Sequence, residues 1–179
     1  MISDQAKTGI HQILLRAAKS RLPLDAGDVC DIEPLTKVGR DDMPEENIVV
    51  LTISSLLFRL LLILHVDETP ATRRYFAGNA GDRPFREVFY ETANLCGGAM
   101  NQELLRYFPD LGMSTPYTLN SRCVSFLEEL KPGYLSQFAI TINGSVRMAA
   151  TICMCEYAPI DFAYDGNAAE ETTGELELF

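Results

Sequence analysis

The chain has 179 residues, 47% of them hydrophobic, and a net charge of −10 at pH 7. That length and apolar content suit one domain with a substantial core and exclude disorder over most of the chain. The acidic balance repels phosphate backbones, so nucleic acids and anionic membrane surfaces are not expected partners.

Five cysteines, an odd number without framework spacing and with no secretory leader ahead of them, read as reduced thiols in a cytoplasmic protein. Cys153 and Cys155 alternate on one face of an expected strand and read as buried. The only two histidines, His11 and His65, lack ligand spacing, so no metal site is expected.

In chain order, Ser3 and Asp4 offer N-caps to a helix running to about Ser20, with Ile10, Ile13, Leu14 and Ala17 at helical spacing. Leu22 to Glu46, broken by Pro23, Gly27, Pro34, Gly39 and Pro44, reads as a long connection with one short strand near Val29. Ile48 to Val66 is a nineteen-residue apolar run whose only formal charge is Arg59. A transmembrane helix is its rival reading. Arg59 near the middle, which costs about 2.5 to 3.5 kcal/mol on insertion scales, and the polar pause at Ser54-Ser55 favour two buried strands instead, Asn47 to Ile53 and Leu56 to Val66.

Thr69 caps a short helix from Pro70 to Ala77, ended by Gly78, and Asp82 stands as the cap of the next. After that helix, Thr115 to Val124, Tyr134 to Ile142 and Val146 to Glu156 read as strands, the last two joined by a tight Asn143-Gly144 hairpin. Residues 1–164 thus form one domain. Asp165 to Phe179 reads as an acidic, solvated tail, or through Leu176, Leu178 and Phe179 as a short docking motif.

The longest helical pattern runs from Phe85 to Phe108 and organises the chain. At about 100° per residue, Phe85, Phe89, Ala93, Cys96, Met100, Leu104 and Tyr107 fall on one side, and Glu87, Glu91, Asn94, Gly98 and Asn101 on the other. Gly97-Gly98 is unexpected mid-helix, where glycine costs about 1 kcal/mol against alanine. One reading is a kink with close packing. Another is a flat clearing for a partner's backbone, flanked by Glu91 and Asn94.

The run Glu91-Thr92-Ala93-Asn94 followed by Gly98, on the polar face of a long helix set among strands, resembles the CheX/CheC/FliY family of phosphatases acting on phosphorylated chemotaxis receivers. The resemblance covers roughly residues 47 to 158; Ala99 stands where the family commonly has asparagine. It implies an α+β fold, an antiparallel β-sheet packed against long α-helices in a CheC-like pseudo-twofold arrangement. It implies a phosphorylated CheY-like receiver as partner, Glu91 anchoring a receiver lysine, and Glu87, Gly97, Gly98 and Asn101 completing the contact surface.

Asn94 would orient the attacking water, since an amide both accepts and donates hydrogen bonds. The Mg2+ would be supplied by the receiver, with none bound by this chain. The first helix offers Gln5, His11 and Gln12 rather than a second Glu/Asn pair, so one centre at most is expected. The resemblance also implies a homodimer formed through the sheets, for which the apolar Val146 to Glu156 strand offers a surface. The alternative function is a non-catalytic receiver-binding or motor-switch-like scaffold, since flagellar switch proteins resemble the same fold and lack the Glu/Asn pair.

Overall fold

The computed structural model describes residues 1–35, 47–78 and 83–166. Helix α1 (Asp4–Arg21) starts where Ser3 Oγ accepts from the Ala6 amide at 3.1 Å. Asp4 in its first turn and Lys19 and Arg21 in its last suit the helix dipole. Strand β1 (Cys30–Leu35) follows, then the hairpin β2 (Asn47–Ser54) and β3 (Phe58–Val66). The apolar run at Ile48 to Val66 is therefore two strands, and no described helix is long and apolar enough to cross a membrane.

Thr69 caps α2 (Pro70–Ala77), and α3 spans Phe85–Leu105. The expected cap Asp82 lies outside the described residues; Pro84 holds the N-cap position and no side chain caps α3. Strands β4 (Gly112–Met113), β5 (Tyr117–Asn120), β6 (Tyr134–Ile142) and β7 (Val146–Glu156) complete the sheet.

One expected strand is corrected. Ser121 to Val124 does not extend β5 but opens a 3-10 helix, Ser121–Leu130. Asn120 Oδ1 accepts from the Arg122 amide at 3.0 Å, and Val124 and Leu127, three residues apart, turn to the same buried side. Spacing by three is the period of a 3-10 helix, and local capping overrides the apolar look of the segment. Lys131, at φ 51°, ends it. The Asn143-Gly144 hairpin forms as its residues demand, with φ values of 51° and 66°.

All strand pairs are antiparallel, in the order β1-β6-β7-β3-β2-β4, with β5 also on β2. This order contains an internal symmetry that no repeat of residues announces. Exchanging β1 with β5, β2 with β6 and β3 with β7 maps β1–β6 onto β5–β2 and β6–β7 onto β2–β3 and leaves the central β3–β7 pair in place, so two αβββ halves led by α1 and α3 interlock. β4 is an addition to one half.

Alternation divides the strands between two cores. Leu60, Leu62 and Leu64 of β3 and Met148, Ala150 and Ile152 of β7 meet Ile10, Ile13 and Leu14 of α1 and Phe89, Ala93 and Met100 of α3. On the opposite face Ile48, Val50, Ile63, Cys153 and Cys155 pack against Val124 and Leu127 of the 3-10 helix. β7 is thus covered on both faces for most of its length within one chain. Its apolar character, which offered a surface for a homodimer, is satisfied without a second copy.

Alternation also places His65 and Gln137 in a fully buried layer, where Thr151 Oγ1 pairs with His65 Nε2 at 2.9 Å and accepts from Gln137 Nε2 at 3.2 Å. Burial pushes the His65 pKa down to about 4. In the unfolded chain it returns to its ordinary 6.5. The full contribution is present above pH 6.5, and between there and about pH 4 the unfolded chain binds a proton that the folded chain refuses. Acidification across that window should therefore cost about 3 kcal/mol through this group alone. Urea unfolding at pH 7 and pH 4 should show a loss smaller by about that amount in His65→Gln; equal losses would remove the assignment.

Candidate functional site on helix α3

α3 buries Phe85, Val88, Phe89, Thr92, Ala93, Cys96, Gly97, Met100 and Leu104. That stripe follows from apolar residues at intervals of three and four, and it leaves Glu87, Glu91 and Asn94 exposed on the other side. The two glycines part company. Gly97 faces the core, where a Cβ would lie 2.9 Å from Leu51 Cδ2 and 3.5 Å from Met113 Sδ, so its smallness lets α3 approach β2 and β4. Gly98 faces outward with nothing within 4 Å of the same point. The helix runs continuously through both, so there is close packing at one glycine and a clearing at the other.

This contrast is testable. Gly97→Val should destabilise the chain by about 1 to 3 kcal/mol through overpacking against Leu51. Gly98→Ala should stabilise it by about 1 kcal/mol, because helix propensity is gained and nothing is struck. Urea midpoints of the two variants should move in opposite directions.

Asn101 is half-buried, with Oδ1 shielded from solvent and without a hydrogen-bond partner among the described residues. Asn94 makes no hydrogen bond to any described residue, so its amide can turn both its oxygen and its nitrogen toward an incoming group. Leu95, next to it, is 55% exposed. The displayed surface is therefore a carboxylate, a free amide, an apolar side chain and an open glycine.

Glu91 is already engaged. Arg83, just before the helix, grips it with two hydrogen bonds, Nη2 to Oε1 at 2.6 Å and Nη1 to Oε2 at 3.1 Å. The Arg83 guanidinium holds the Glu91 carboxyl below the usual carboxylate range, and Glu91 in turn raises Arg83. At the other flank Tyr90 hydrogen-bonds Thr118, tying α3 to β5. Arg83 was not legible in the sequence as a site residue, because its pairing crosses eight positions and depends on how the chain enters the helix. Leu95 was missed as well, although a large apolar residue on a polar arc is a signal that could have found it.

Two of the five thiols lie deep in the two cores. Cys96 is pushed up to about 12 by burial, and burial beside Cys155 raises Cys153 likewise, so both are protonated at neutral pH. Among the described residues no three His, Cys, Asp or Glu side chains gather as a metal site would require.

No protein-family model and no curated protein matches the chain. Solved structures do. The chemotaxis protein CheX from Vibrio vulnificus superposes with a TM-score of 0.52 at 13% identity, over 82% of this chain and 96% of that one. CheX in a CheX-CheY-BeF3-Mg2+ complex from Borrelia burgdorferi gives 0.54 at 10% identity, over 83% and 97%. The chain carries the fold of the CheX/CheC/FliY family. The FliM middle domain from Vibrio alginolyticus shares it, with a TM-score of 0.52 at 11% identity over 81% and 90% of the two chains. The CheX-type fold accounts for the interlocked halves, with α1 and α3 as symmetry-related helices, of which only α3 carries the Glu91/Asn94 pair.

Proposed function

We propose that this chain is a phosphatase that removes the aspartyl phosphate of a CheY-like receiver docked on α3. The observation that carries the reading is the unengaged amide of Asn94, exposed beside the clearing at Gly98 and one turn from Glu91, on a CheX-type fold. Asn94 accepts a hydrogen bond from a water through its oxygen and donates through its nitrogen to a phosphoryl oxygen. The water's oxygen attacks phosphorus in line. The bond from phosphorus to the aspartyl oxygen breaks, its electron pair returns to the receiver's carboxylate, and the inorganic phosphate released carries away both protons of the water.

Most of the gain is orientation, by analogy with the glutamine that positions water in GTPases. Mg2+ is brought by the receiver in this reading. Glu91 exchanges Arg83 for a receiver lysine on docking and so holds the helix in register, while Glu87, Gly98 and Leu95 complete the contact.

Phosphate release from a magnesium-loaded, phosphorylated receiver of the source organism tests the reading. Wild type should accelerate release, Glu91→Ala should weaken receiver binding, and Asn94→Ala should lose the acceleration. Demonstrable binding without acceleration would overturn the phosphatase and leave a receiver-binding scaffold. That second reading is favoured by one finding: the FliM middle domain fits the fold as well as the Vibrio vulnificus CheX does, both at 0.52. A homodimer belongs to the proposal as well, with Phe126 and Leu130, exposed on the 3-10 helix, as the apolar surface available for it. A monomer mass at micromolar concentration would remove it.

A further inference from the structure

α2 and the entry to α3 bring four arginines to one groove of about 600 Å³: Arg73 and Arg74 from α2, Arg83 before α3, and Arg86 in its first turn. In a chain of net charge −10 such a convergence runs against the average surface. Arg73 pairs with Glu68 and Arg83 with Glu91. The other two form no ion pair among the described residues, with Glu68 the groove's one lining carboxylate: Arg86 donates to the Tyr90 hydroxyl at 3.0 and 3.1 Å and lies 5.4 Å from its ring centre, and Arg74 is exposed. The groove adjoins the Glu91 and Asn94 face, because Arg83 belongs to both.

We propose that this groove is the second half of the docking surface and takes an acidic segment of the receiver, while Glu91 takes a receiver cation. The proposal rests on the receiver reading above. A cation arriving at Glu91 has to displace Arg83, whose guanidinium then needs a new counter-charge. An acidic segment in the groove supplies it, so the two contacts exchange one internal ion pair for two intermolecular ones. Guanidinium groups without counter-charge attract carboxylates over about a Debye length, whereas the rest of this acidic surface repels them. The groove therefore steers the partner as well as holding it.

The test is the association rate of the full chain with its receiver at low and at physiological salt. Wild type should associate faster at low salt. Arg74→Glu/Arg86→Glu should slow association about tenfold at low salt and flatten the salt dependence. Arg59→Glu/Arg147→Glu, at two exposed positions on the sheet face opposite α1 and α3, changes the net charge by the same amount, serves as the control and should change little. Equal slowing in both variants, or none in the groove variant, would overturn the groove. If wild type binds with this steering but releases no phosphate, the phosphatase reading falls and the groove stands. If wild type binds no receiver, both fall.

Discussion

Asn94→Ala should reduce the rate of receiver dephosphorylation about a hundredfold, or about 3 kcal/mol in the step that Asn94 positions. Affinity for the receiver should change little, because the lost contacts are to the water and the phosphoryl group. Asn94 is exposed and carries no hydrogen bond to a described residue, so its removal takes nothing from the fold. The urea midpoint should therefore stay within the few tenths of a kcal/mol usual for surface positions. Single-turnover release, measured with saturating variant over phosphorylated receiver, separates the chemical step from docking. Unchanged release would remove Asn94 from the mechanism. A fall in affinity of the same size as the fall in rate would make it a contact residue instead.

Phe89→Ala should be the most damaging single change to stability on α3, at about 3 to 5 kcal/mol. Its side chain is 1% exposed and lies in an aromatic cluster, edge-on to Phe76 at 5.4 Å and stacked on Phe85 at 5.8 Å. Phe76 belongs to α2, so the cluster fastens α2 to the half of α3 that carries Glu87 and Glu91. A loss of that size is a large share of the about 5 to 15 kcal/mol that stabilises a domain. Phe89→Leu, which keeps most of the apolar volume, should cost markedly less. Urea unfolding of the two variants provides the comparison, and a cost below about 1 kcal/mol for Phe89→Ala would show that the cluster does not hold the two helices together.

Much of the architecture is written in local patterns. The helical stripes of α1 and α3, the proline and threonine at the start of α2, and the Asn143-Gly144 turn each act over a few residues, and each element formed close to its expected bounds. The polar pause at Ser54-Ser55 likewise marked the turn that divides the apolar run into two strands, with Ser55 Oγ accepting from the Leu57 and Phe58 amides. The segment after Asn120 was misread because a 3-10 helix and a short strand present similar apolar residues, and the cap that decides between them is a single side chain. Expectations for Asp82 and for the tail beyond Gly166 lie outside the described residues.

The candidate site divides along the same line. Helical periodicity by itself determined which residues α3 displays, because the angle between side chains depends only on their spacing. Glu91 and Asn94 were therefore legible as neighbours on a polar face, and the Gly97-Gly98 step as a special place. Which glycine packs and which is open depended on where Leu51 and Met113 lie across the sheet, and that is a tertiary matter. The two similar halves were expected from the family resemblance, but the grip of Arg83 on Glu91, the four arginines around one groove and the meeting of the halves at β3 and β7 were decided by the tertiary structure alone. Each joins segments far apart in sequence or on different elements, and spacing along a chain carries no information about contacts that only folding creates.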